Sequence, residues 1–156
     1  MAAVQRPRAA DQAAEPHISI VIPVYNEQAI LHAAIVDLRE RLKPLGWSYE
    51  IILAENGSKD RTVSIGHELA GKYDDPEDGQ VKIISLGEPN YGRALKQGIL
   101  MASGNVVLCD EIDLCDTTFH KRAVDILETG EADLVIGSKL AVGAADERPL
   151  IRHAAS

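Results

Sequence analysis

The sequence predicts an α/β fold, a mostly parallel, Rossmann-like sheet covered by helices in three layers. Two patterns predict it: short apolar runs without alternation recur along the chain, and stretches of helical periodicity separate them. An unalternating apolar run suits a strand buried on both faces, and parallel strands need a long crossover, usually helical, between them. Size is the third observation, since 156 residues with 46% apolar content suffice for one domain with its own core.

Residues 1–16 are Ala-rich, carry scattered charge and show no period, so they are expected to be a mobile tail before a domain over 17–156. Ile18–Val24 reads as the first strand. Leu31, Ala34, Ile35, Leu38, Leu42 and Leu45 then recur at helical spacing. Tyr49–Ala54 is the second strand. The turn residues Asn56-Gly57-Ser58-Lys59-Asp60 supply an N-cap for a helix through Leu69. Asp74 to Gln80 is an acidic loop, and Val81–Leu86 the third strand. Leu95, Gly98, Ile99 and Ala102 share one helix face, with Gly104 expected as the C-terminal cap. Val106–Cys109 is the fourth strand. Phe119, Ala123, Ile126 and Leu127 place a helix over Thr117–Thr129, and Ala132–Ile136 is the fifth strand.

Composition excludes several function classes. A formal charge of −8 argues against binding the phosphate backbone of nucleic acid, and 4% aromatic residues leave little for base-stacking platforms. Cys109 and Cys115 lack the Cys-x-x-Cys spacing of a zinc or redox site and read as thiols in a reducing compartment. No apolar run approaches the roughly 20 residues that span a bilayer, and no apolar core follows Arg6 and Arg8, as a signal peptide requires. The expected compartment is the cytoplasm.

Ligands of open parallel sheets sit beyond the carboxyl ends of the strands. Tyr25, Asn26 and Glu27 follow the first strand, and Glu55 and Asn56 the second. Asp110, Glu111 and Asp113 follow the fourth, with Asp116 close behind, and Ser138 and Lys139 follow the fifth. Acids converging on one sheet edge repel each other unless a cation joins them, which predicts a metal-assisted anionic ligand. Oxygen ligands suit Mg²⁺ or Mn²⁺. Asp116 has a competing role as N-cap of the helix carrying Phe119. Two phosphate motifs fail: no glycine follows the first strand, and Arg93-Ala94 stand where a Walker motif needs Lys-Ser/Thr.

Four segments resemble family 2 glycosyltransferases, which have the GT-A nucleotide-sugar fold. They are Ile20-Val21-Ile22-Pro23-Val24-Tyr25-Asn26-Glu27, the strand and turn from Glu50 to Thr62, Asn90-Tyr91-Gly92-Arg93-Ala94-Leu95, and Asp133 to Lys139. The resemblance is closest to the polyprenyl-phosphate branch, similar to dolichol-phosphate-mannose synthase. It implies a UDP- or GDP-linked sugar donor, a lipid phosphate acceptor, a divalent metal, and peripheral contact with the inner face of the membrane.

Carried onto this chain, the resemblance puts Pro23, Tyr25, Glu27 and Glu55 around the nucleoside, with Asn90, Arg93, Asp110 and Lys139 also on the nucleotide sugar. Asp113, then Glu111, then Asp110 are the implied metal ligands, with Asp113, Glu111 and Arg152 catalytic. Lys139, Arg152 and Ser156 match phosphate-binding positions. The chain departs from the family pattern in three ways. Glu55-Asn56 replaces paired aspartates, and Asp110-Glu111-Ile112-Asp113 replaces Asp-x-Asp, leaving two registers open. The chain also stops at Ser156, as a donor-binding half would. A non-catalytic nucleotide-sugar-binding module is the alternative, and a receiver-like signalling domain a third reading.

Overall fold

The computed structural model describes residues 1–5 and 16–138. Its centre is a pair of parallel strands, β2 (Ile18–Val24) and β3 (Tyr49–Glu55), set in register from Ile18 opposite Tyr49 to Val24 opposite Glu55. Every residue of β3 is buried, as its apolar run requires. β4 (Gln80–Ser85) adds to β3 and β5 (Val106–Cys109) to β2, both parallel.

The alternating faces of β2 receive different helices. Ile18, Ile20 and Ile22 share a core with α1 (Leu31–Leu42), α2 (Thr62–Lys72) and α4 (Thr117–Thr129), through Leu38, Leu69 and Leu127 among others. Val21 faces the other way, toward Ala94 and Ala102 at the two ends of the helical segment that contains α3 (Tyr91–Met101). α3 lies close to the sheet because Gly98 has no Cβ; one placed there would stand 2.4 Å from Val21 Cγ1. The expected three layers and mostly parallel sheet are present.

Four expectations change in detail. The sheet has a sixth strand, because Ala2–Gln5, expected within the mobile tail, forms β1. It lies antiparallel between β5 and β6 (Leu134–Ile136), giving the order β4-β3-β2-β5-β1-β6. Four residues with two alanines are too short and too plain to announce a strand, but Ala3 fits a slot where it is fully buried. The first helix stops at Leu42, and a 3₁₀ turn over Lys43–Leu45 accommodates Pro44. Ala102, not Gly104, caps α3, and Gly104 is needed instead because a Cβ there would meet the backbone of Ile18 and Ser19. The last strand begins at Leu134 rather than Ala132. No helix among the described residues is long and apolar enough to cross a membrane.

The amino-terminal edge of the sheet is closed by polar contacts. Buried Glu50 accepts hydrogen bonds from Ser19 Oγ at 2.6 Å, from Ser103 N–H at 2.7 Å and Oγ at 2.8 Å, and pairs with Lys82 Nζ at 2.6 Å. Arg39, also buried, stacks 3.9 Å from the Tyr73 ring centroid and donates to the Asp78 and Gly79 carbonyls, which anchors the acidic loop.

Candidate functional site

Three loops leaving the carboxyl ends of β2, β3 and β5 build the site. Beyond Val24 the chain turns at Asn26, whose φ of +57° is left-handed and tolerable for Asn. Asn26 is stitched to the next loop: its N–H donates to Ser58 Oγ at 3.0 Å, and its Oδ1 accepts from Lys59 N–H at 2.9 Å. Glu27 N–H donates to Thr62 Oγ1 at 2.8 Å, and Gln28 N–H to Asp60 Oδ2 at 3.2 Å. These bonds fix one turn against the other.

The second loop is fixed in turn against a third segment. Asn56 Oδ1 accepts from Asn90 N–H, and Asn90 Oδ1 caps α3 by accepting from Arg93 N–H at 2.9 Å. Gly57 has φ of +79°, and a Cβ there would lie 2.7 Å from the Glu88 carbonyl carbon, so only glycine fits.

The acidic turn after β5 forms the opposite wall. Glu111 Oε1 accepts a hydrogen bond from the Tyr91 hydroxyl at 3.2 Å. The turn closes through Leu114 N–H to the Glu111 carbonyl at 3.0 Å, and Asp116 caps α4 through Thr118 and Phe119. Between the walls lies a cavity of about 400 Å³. Pro23, Tyr25 and Asn56 line it together with Glu27, Glu111 and Asp113, and among the described residues no Lys, Arg or His does. Burial, then the neighbouring charges of Asp113 and Asp60, raise the Glu27 pKa above the ordinary carboxylate value. Among the described residues the cavity thus gathers three acidic side chains and no cationic one.

Of the expected site residues, the structure brings Pro23, Tyr25, Glu27, Glu111 and Asp113 together. Two others point inward. Glu55 is 1% exposed, and its carboxylate accepts from Ser58 N–H and Ser85 Oγ. Asp110 is 3% exposed, with Oδ1 accepting from Glu111 N–H at 2.8 Å and Oδ2 bonded to His120 Nε2 at 2.6 Å. Both of its oxygens are thus engaged within the fold, and the residue also lines a smaller cavity of about 170 Å³ beside Tyr91. Asn90 serves as a helix cap, and Arg93 is exposed on the first turn of α3, outside both cavities. Lys139, Arg152 and Ser156 lie outside the described residues.

The residue assignments missed Asn56 and Tyr91, which line the larger cavity, although the turn after β3 and the Asn-Tyr-Gly segment were the places to look. They also missed His120. Its signal was position: 120, 123, 124 and 127 form one helix face, and the others are apolar.

A family model, described as glycosyl transferase family 2, matches residues 19–151. The chain belongs to that family. Membership in glycosyl transferase family 2 sets the receiver-like reading aside. The chain is 42% identical, over 101 residues, to an uncharacterized glycosyltransferase of Synechocystis, covering 64% of this chain and 30% of that protein. It is 36% identical over 116 residues to the undecaprenyl-phosphate 4-deoxy-4-formamido-L-arabinose transferase of Yersinia pestis, covering 72% and 34%. The transferase of the same description from Pseudomonas fluorescens is 35% identical over 99 residues, covering 62% and 28%. The chain thus spans about a third of the length of the curated relatives it matches.

Proposed function

We propose that this domain binds a nucleoside-diphosphate sugar, UDP- or GDP-linked, in the 400 Å³ cavity and takes part in sugar transfer to a polyprenyl phosphate. The observation that carries the reading is three acidic residues lining one cavity, with no cationic side chain in its lining among the described residues. Among the described residues, no three His, Cys, Asp or Glu form a ready-made metal cluster. Mg²⁺ or Mn²⁺ needs no such cluster, being held by one or two carboxylates plus substrate phosphates. Asp113 and Glu111 would hold the ion, which neutralises charge developing on the departing diphosphate.

The chain's own residues divide the remaining work. Pro23 and Tyr25 offer an apolar wall and a ring for the base, while Asn56 supplies amide N–H groups, its oxygen being engaged by Asn90. Tyr91 fixes the Glu111 carboxylate by its hydroxyl. Lys139, Arg152 and Ser156 complete the proposal as groups for the phosphates, and contact with the inner face of a membrane follows from the lipid acceptor. The undecaprenyl-phosphate transferases among the relatives support that acceptor class.

The test is calorimetric titration of Mn²⁺ with and without UDP or GDP. Mn²⁺ is expected to bind tightly only with the nucleotide, and Asp113→Asn to weaken it at least tenfold, about 1.4 kcal/mol. Equal affinity in the variant would show that the ion sits elsewhere. Binding of the donor without any turnover, in a protein extended to the length of its relatives, would favour the non-catalytic binding module.

A further inference from the structure

Helix α4 touches the acidic turn at both ends. At its N-terminus Asp116 is the cap, and one turn further along the same helix His120 grips Asp110, where the turn begins. Both members of that grip are buried, with side chains 1% and 0% exposed. His120 Nε2 is the donor to a carboxylate, which leaves Nδ1 buried and without a partner among the described residues. A leucine would fill this core position without an unpaired Nδ1, but it would take the donor from Asp110 Oδ2. The histidine therefore serves the contact with Asp110 at some cost to packing.

The geometry points to His120 as the positioning residue of the acidic turn. Resting on the metal–nucleotide reading above, the inference is that His120 holds Asp110 inward and thereby sets Glu111 and Asp113 toward the cavity. With Oδ2 fixed by His120, Asp110 turns Oδ1 to the Glu111 amide, and Glu111 in turn receives the amides of Leu114 and Cys115 on its carbonyl. Each bond in this series fixes the next. Without the imidazole, Asp110 Oδ2 is a buried acceptor with no donor, and the carboxylate swings toward water in the cavity. The Glu111 amide then loses its partner and the turn its starting point.

The test compares the wild type with His120→Gln, His120→Leu and the double variant Asp110→Asn/His120→Leu, which leaves no unpaired buried charge and so keeps the question open should His120→Leu fail to fold. Hydrogen exchange reads the turn directly at the amides of Glu111, Leu114 and Cys115. Exchange there should accelerate at least tenfold in both leucine variants, stay within threefold in His120→Gln, which retains an N–H donor, and leave the β2–β3 amides unchanged. Mn²⁺ affinity in the presence of UDP or GDP should fall at least tenfold in the same variants, with metal-free nucleotide affinity altered less than twofold. A merely structural histidine would lower the melting temperature and leave this metal dependence as it was. Wild-type exchange and Mn²⁺ affinity in the folded double variant would overturn the positioning role alone. Failure of the wild type to bind Mn²⁺ with nucleotide would overturn the proposed function and the positioning role with it.

Discussion

The two ends of β3 each carry a buried glutamate, and they are managed in opposite ways. Glu50, at the amino end, has three hydrogen bonds from serines and an ion pair with Lys82. Glu55, at the carboxyl end, has one backbone amide and one serine hydroxyl, and no cation among the described residues. Burial pushes the Glu50 carboxyl up, but the bonds from Lys82, Ser19 and Ser103 outweigh it and hold its pKa below the ordinary value. At the other end, Glu27 is pushed up. Among the described residues, one edge of the sheet pairs its buried carboxylate with a cation, whereas the other gathers Glu27, Asp60 and Asp113 near one another.

The comparison breaks most visibly at Glu50. Glu50→Ala leaves Lys82 and both serine hydroxyls without their acceptor and should cost about 3 kcal/mol, read as a shift in urea midpoint. The charge adds a pH signature. Because the folded pKa is depressed, its contribution is present above the unfolded value of about 4.3 and is lost as pH falls through the folded one. Glu50→Gln should therefore flatten the acid limb of the stability profile below about pH 4; an unchanged limb would mean another group controls it.

A smaller effect separates two glycines on the same two edges. Gly104→Ala forces a Cβ to within 2.6 Å of Ser19 N and should destabilise by about 2 kcal/mol without touching nucleotide affinity. Gly57→Ala should instead weaken nucleotide binding, because it disturbs the contact between the loops that carry Asn56 and Asn90. If calorimetry and melting show both acting only on stability, the division of labour between the edges is wrong. The smallest effect is Ser85→Ala, which removes one of the two bonds to Glu55 and should cost about 1 kcal/mol.

What could be read from the sequence follows from range. Strands such as Ile18–Val24 and Tyr49–Glu55 are legible because both faces are buried and the apolar run is local. The Asp116 cap is legible for the same reason, since cap and helix adjoin. Direction at a strand end is not. Glu55 and Asn56 are adjacent, yet the pairing of β3 with β2 and β4 turns the first inward and lets the second face the cavity. Asp110 is bonded to a histidine ten residues away, a partnership no spacing rule contains. β1 was missed because its partners, Val106–Cys109 and Leu134–Ile136, lie at the far end of the chain.

That last pairing also sets a timetable. β5 and β6 are joined within the sheet only through β1, whose Val4 lies opposite Val107 on one side and Leu134 on the other. On a ribosome, Val4 emerges about 7–26 s before Leu134 at ordinary synthesis rates. β1 can pair with β5 once Val106–Cys109 is made, but its other edge stands open to other chains until β6 arrives. A nascent chain of this kind gains from a chaperone during that interval more than its compact finished sheet suggests.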